Sequence, residues 1–189
     1  MEAFGKHKRD ILVDRVEGAR DAQEGAKEQF QSALEQFSSV VQVPSTELAA
    51  KYKQLKAELD RSESKASAVS SRIADVESVA KALFKEWQEE LNQYTNADLR
   101  RTSEQKLRQT STQYDLLIGA MRQAEAKITP VLAAFRDQVL FLKHNLNAQA
   151  VASLQGELVS IESNVASLVK EMDASIAEAN RFISSMAKE

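Results

Sequence analysis

The sequence holds no cysteine, two prolines and five glycines among its 189 residues. Without cysteine there is no disulfide, no thiolate metal site and no cysteine nucleophile, and the redox compartment cannot be read. So little glycine and proline falls far below what sheets and tight turns consume, which all but excludes a β-rich or dinucleotide-binding α/β fold. Aromatic residues make up 6%, too few for a broad globular core. Neither sign of charge dominates: 25 Lys and Arg stand against 28 Asp and Glu, a net charge of −3. That balance gives no general attraction to nucleic acid or to an anionic membrane. No apolar run approaches the ~18 residues of a membrane span. The opening Met1–Glu2–Ala3–Phe4–Gly5 lacks the apolar stretch of a secretion signal.

What is abundant is alanine, with 27 residues, serine, with 19, and charge, at 28%. This is the composition of long helices that approach one another closely, and 43% apolar residues suffice to fill narrow seams between them. Helix-breaking chemistry is confined to three places: Val43–Pro44–Ser45–Thr46, Tyr94–Thr95–Asn96–Ala97 and His144–Asn145–Leu146–Asn147. Proline stops a helix, and Ser45 or Thr46 can cap the next. Helices are therefore expected over about 7–42, 46–94, 97–145 and 148–187, roughly 55 to 73 Å long at the rise of an α-helix.

Apolar residues in these segments recur at alternating steps of four and three, the heptad pattern of a left-handed coiled coil. The first helix reads Leu12, Val16, Ala19, Gln23, Ala26, Phe30, Ala33, Phe37 and Val40. The second runs from Leu48 and Tyr52 to Leu83 and Trp87, and the third from Leu107 through Tyr114 to Phe135, Gln138 and Leu142. The fourth reads Val151, Leu154, Leu158, Ile161, Val165, Leu168, Met172, Ile176, Ala179, Ile183 and Met186. Short connections make successive helices antiparallel neighbours. The expected fold is one all-α domain, an elongated antiparallel four-helix coiled-coil bundle, up-down-up-down. Helices one and four reach only to about residues 82 and 107 of their neighbours, so the hairpin of about 83–108 is expected to project beyond the body. Pro130 falls inside helix three, where a kink is expected and a break is the alternative.

The projecting hairpin is the first candidate site. It carries Phe84, Trp87, Leu91, Tyr94 and Leu99 with Arg100 and Arg101, and Trp87 is the only tryptophan. Two helices cannot bury so many aromatics completely, and exposed aromatics beside arginine are the composition of interface hot spots. The alternative account is a small core of the tip's own. Counting across the turn places Glu86 opposite Lys106 and Glu89–Glu90 opposite Arg101, so interhelical ion pairs are expected there. A second candidate is the basic cluster Lys6–His7–Lys8–Arg9, which could meet anionic lipid if a membrane anchor stood upstream, or could be a solvated helix end.

Catalytic chemistry is not expected. The two histidines, His7 and His144, lie far apart, and neither follows a Glu by three residues as in di-iron bundles. There is no phosphate-binding glycine loop, nucleophile elbow or zinc spacing, so no metal, cofactor or catalytic residue is assigned. His144 is read as a cation at a helix C-terminus.

Four segments carry a resemblance: His7–Glu17, Ala82–Trp87, Asp98–Leu107 and Asp137–Leu146. Together they resemble the bacterial domain-of-unknown-function family 2959, over essentially the whole chain. The resemblance implies a gammaproteobacterial protein, usually made with a lipoprotein-type signal ending in a lipidated cysteine, and hence the periplasmic face of the cell envelope. It implies no catalytic residues. Signal and cysteine are absent here, so the chain is expected to be the trimmed soluble part, with a cytoplasmic protein starting at Met1 as the alternative. The expected function is that of a non-enzymatic spacer or adaptor with a protein partner, or a second copy, at the hairpin tip. Membrane contact would come only through an upstream anchor. A peripheral lipid-binding module and a ligand-binding sensor bundle are the other classes weighed.

Overall fold

The computed structural model describes the backbone of residues 2–188 and the side chains of residues 7–188. Four α-helices follow in order: α1 (Glu2–Val40), α2 (Leu48–Glu90), α3 (Ala97–His144) and α4 (Ala148–Ala187). Short 3₁₀ turns, Ser45–Glu47 and Leu91–Gln93, flank α2, and no strand occurs among the described residues. The fold is an all-α four-helix bundle.

Each break has a local cause. After α1 the chain tightens through Gln42 N–H to Ser39 O at 3.1 Å and Val43 N–H to Val40 O at 3.3 Å, and Pro44 then leaves in an extended conformation (φ −59°, ψ 150°). The expected side-chain cap from Ser45 or Thr46 does not form. The Glu47 N–H instead bonds the Pro44 carbonyl at 2.9 Å, so a backbone turn does the work of a cap. At the other two breaks asparagine caps the incoming helix. Asn96 Oδ1 accepts from the N–H groups of Asp98 at 2.9 Å and Leu99 at 3.0 Å, and Asn147 Oδ1 accepts from Ala150 N–H at 3.2 Å. α3 continues through Pro130 without a break, and Lys143 and His144 occupy its last turn, where positive charge suits the helix dipole.

α1 packs on α2 and α4, and α3 packs on the same two helices from the opposite corner. Cross-links show the directions. Between α1 and α2, Gln36 meets Lys51 at 3.2 Å and Gln29 meets Glu58 at 2.7 Å. Between α2 and α3, Glu63 meets Arg136 at 2.8 Å and Glu77 meets Arg122 at 2.8 Å. Between α1 and α4, Arg20 meets Asn180 at 3.1 Å and Lys27 meets Asp173 at 2.9 Å. In each pair of helices rising numbers meet falling ones, so the two run in opposite directions.

The core is the heptad seam made solid. All nine seam positions of α1, from Leu12 to Val40, have no solvent exposure. Those of α2 are buried except for half-buried Tyr52, and those of α3 except for Tyr114 and Gln138, with Val139 turned inward beside the latter. α4 departs from its expected phase. Ala150, Ser175 and Phe182 are buried, whereas Val151, Ile176 and Ile183 are only half-buried. This helix lies between α1 and α3, so its inward stripe is broad, and the phenyl ring of Phe182 takes the interior.

The N-terminal end also differs from expectation. α1 begins at Glu2 rather than near residue 7, because nothing before Lys6 forbids a helix. Gly5 in its interior lowers helix propensity by about 1 kcal/mol without ending the helix. Lys8 and Arg9 already bring α1 past residue 82 of α2, to the level of Glu86 and Trp87.

Candidate interaction tip

The α2–α3 hairpin has a small core of its own. Trp87, Leu91 and Leu107 form an apolar cluster separate from the main one, with Phe84 packed against it. Trp87 is only 7% exposed, and its indole N–H donates to Ser103 Oγ at 2.8 Å, satisfying the one polar atom that a buried indole brings. Phe84 bridges to the main core, its ring edge-on to Tyr114 at 5.4 Å.

The seven candidate residues divide between two sides. Phe84, Trp87 and Leu91 face inward, whereas Tyr94 is 42% exposed, Leu99 is 58% exposed, and Arg100 and Arg101 lie on the surface. The division follows position. Trp87 ends the α2 seam and Leu91 follows one turn later, in the 3₁₀ turn that closes the helix, but Tyr94 leaves in an extended conformation (φ −69°, ψ 128°), and Leu99 sits in the first turn of α3, where it is 58% exposed. Asn96 fixes this turn by its two bonds to α3 backbone.

The expected ion pairs across the hairpin are replaced by others. Glu86 pairs with Lys8 of α1, Arg101 stays within its own helix 3.9 Å from Asp98, and Arg108 meets Glu104 at 3.2 Å. Arg101 and Arg108 each find an acid one turn away on α3, which costs less side-chain ordering than reaching across helices, while Glu86 is taken by α1. The basic cluster is likewise divided: His7 is exposed, Lys8 and Arg9 are half-buried, and the Lys6 side chain lies outside the described residues. The Arg9 guanidinium stands over the Trp87 ring, 4.3 Å from its centroid. This cation–π contact joins residues 78 positions apart, and a list of motifs had no means of finding it.

Below the tip, electrostatics serve to tie helices together. Arg122 grips Glu77 through two bonds, of 2.8 and 2.5 Å, and reaches Glu125 at 2.9 Å. The guanidinium holds the Glu77 carboxyl below the usual carboxylate range, chiefly through its hydrogen bonds. Tyr114 beside this pair is pushed up to about 12, first by burial and then by the negative charges of Glu77 and Asp115. A phenol whose folded value is raised contributes stability that is complete below its ordinary value of 10.0 and is lost as pH climbs toward about 12. Thermal melts of the native protein are therefore expected to fall above pH 10 by more than those of Tyr114→Phe. Parallel curves for the two proteins would remove Tyr114 as the cause.

Among the described residues no group of histidines or acids is placed to hold a metal, and no helix is long and apolar enough to cross a membrane. A family model described as a protein of unknown function, DUF2959, matches residues 1–186. No curated protein matches the chain, and no solved structure does so.

Proposed function

The chain belongs to the DUF2959 family of proteins of unknown function, and from that premise we propose a non-enzymatic helical spacer or adaptor of the bacterial cell envelope that engages a protein partner through the end of its α2–α3 hairpin. One observation carries this reading. Tyr94, Leu99, Arg100 and Arg101 stand exposed at a turn that Asn96 caps, beside the Trp87 cluster. Aromatic, leucine and arginine side chains on a preformed scaffold lose little freedom on binding, which is how a small patch gains affinity.

The lipid-binding alternative gains no such support. It needs a basic face, and two members of the basic cluster, Lys8 and Arg9, are engaged with Glu86 and Trp87.

The test is site-specific photo-crosslinking in the native host, with the probe replacing Tyr94 or Leu99 and a control probe at Val159, which is 75% exposed on α4. A distinct hetero-adduct from the tip alone is the expected result. An adduct at twice the protein's own mass would replace the hetero-partner by a second copy. Equal labelling at tip and control, or none at either, would overturn the adaptor reading.

A further inference from the structure

The tip cluster is met by the N-terminal part of α1, and among the described residues that contact includes charged groups. From Leu12 onward α1 is anchored by side chains with no solvent exposure, Leu12, Val16 and Ala19. Ahead of Leu12 the contacts to the hairpin include an ion pair, Lys8 with Glu86, and a cation over a ring, Arg9 on Trp87. Charged contacts of this type exchange with water and with competing ions far more readily than buried leucines leave a core. Trp87 also bonds Ser103 within the hairpin, a contact that does not involve α1.

We propose that the turn of α1 bearing Lys8 and Arg9 is an intramolecular strap over a second docking face, built on Glu86 and Trp87, and that the face accepts a basic helical segment of a partner in its place. The strap itself defines the ligand chemistry: an ammonium for the Glu86 carboxylate and a guanidinium for the indole face, on adjacent residues of a helix. This deepens the adaptor reading and rests on it. The constantly exposed Tyr94 and Leu99 provide first contact, and release of the strap adds an apolar, electron-rich surface at the same end of the molecule.

The single tryptophan reports the state of the strap directly. In full-length Lys8→Ala/Arg9→Ala protein, acrylamide quenching of Trp87 fluorescence is expected to rise about twofold, with a red shift of emission, as in a local opening. Far-UV helicity should hold, and Arg15→Ala, which alters an exposed arginine of the same helix, should leave quenching unchanged. A synthetic peptide of residues 7–20 added to the double variant should return quenching toward the native value. The same peptide with alanine at positions 8 and 9 should not. Unchanged quenching in the double variant would overturn the strap, and equal action of the two peptides would overturn the basic ligand. Loss of helicity in step with quenching would also overturn it, because the two residues would then hold the bundle rather than cover the tip. None of these results touches crosslinking at Tyr94 and Leu99, so failure of the strap and failure of the adaptor reading are separable.

Discussion

Phe135→Ala is expected to destabilise the protein by about 3–5 kcal/mol, with a fall in melting temperature of roughly 10 °C or more for a chain of this length. Phe135 has no solvent exposure and stands at the centre of a three-ring stack. Its ring lies 4.5 Å from that of Phe37, tilted by 9°, and 6.2 Å from that of Phe30, tilted by 20°. The neighbouring layers are built of small residues such as Ala26, Ala33 and Ala66, which have little volume with which to fill the hole. The cost combines lost transfer energy, an uncollapsed cavity and two lost ring contacts worth about 0.5–1.5 kcal/mol each. Phe141→Ala on the same helix is the control: its ring is 36% exposed, and a loss below about 1 kcal/mol is expected. Equal denaturant midpoints for the two variants would show that the stack does not organise the bundle.

That stack also marks where sequence reading stops. Breaks, helices and seam positions are local properties, written in Pro44, Asn96, Asn147 and a repeat of 3.5, and they could be read residue by residue. Folding each break back on itself pairs only helices that are neighbours in the chain. Phe37 and Phe135 belong to α1 and α3, which face each other across the diagonal, and their contact depends on the lateral order of all four helices. α4 departs from its expected seam at a few positions for a related reason: counting apolar residues selects Ile176 and Ile183, whereas the structure buries Ser175 and Phe182, a choice set by how α4 sits between α1 and α3.

The tip shows a nearer miss. Extending the α1 heptad backward from Leu12 by its next step of three lands on Arg9, so the seam itself points this arginine at α2, where Trp87 ends the opposite run. An arginine at a seam position reads as the end of the pattern when only apolar residues are counted. Counting the aliphatic stem and planar head of arginine as core-compatible extends the seam and pairs it with the tryptophan. The inward and outward halves of the candidate patch divide along the chain: Trp87 on the seam and Leu91 just past the end of α2 are covered, whereas Tyr94 in the turn and Leu99 in the first turn of α3 are not.

Gln23 is the polar position in the α1 seam, and Gln23→Leu is expected to stabilise the protein by about 1–3 kcal/mol. The Gln23 side chain is fully buried. Its Oε1 accepts from the Ser175 hydroxyl at 2.7 Å, while its Nε2 finds no partner. Reversing the amide does not rescue it, since Nε2 could then donate to Ser175 but Oε1 would be stranded. One buried polar atom is orphaned either way, and leucine removes it. The Ser175 hydroxyl left behind can turn to a carbonyl of its own helix. Ser175→Ala alone should act in the opposite direction, because it strands both ends of the amide, whereas in the Gln23→Leu background it should be nearly neutral. Urea titrations of the four proteins complete a double-mutant cycle, and a Gln23→Leu variant that loses stability would show that the amide is satisfied in solution. What the polar pair provides in exchange is alignment. A single polar seam position penalises every other register of α1 against α4, since a heptad shift would bury Gln23 against Leu168 or Phe182 rather than Ser175. In a bundle whose seams are otherwise repetitive and rich in alanine, that penalty selects one register, and with it the height at which Lys8 and Arg9 meet the tip.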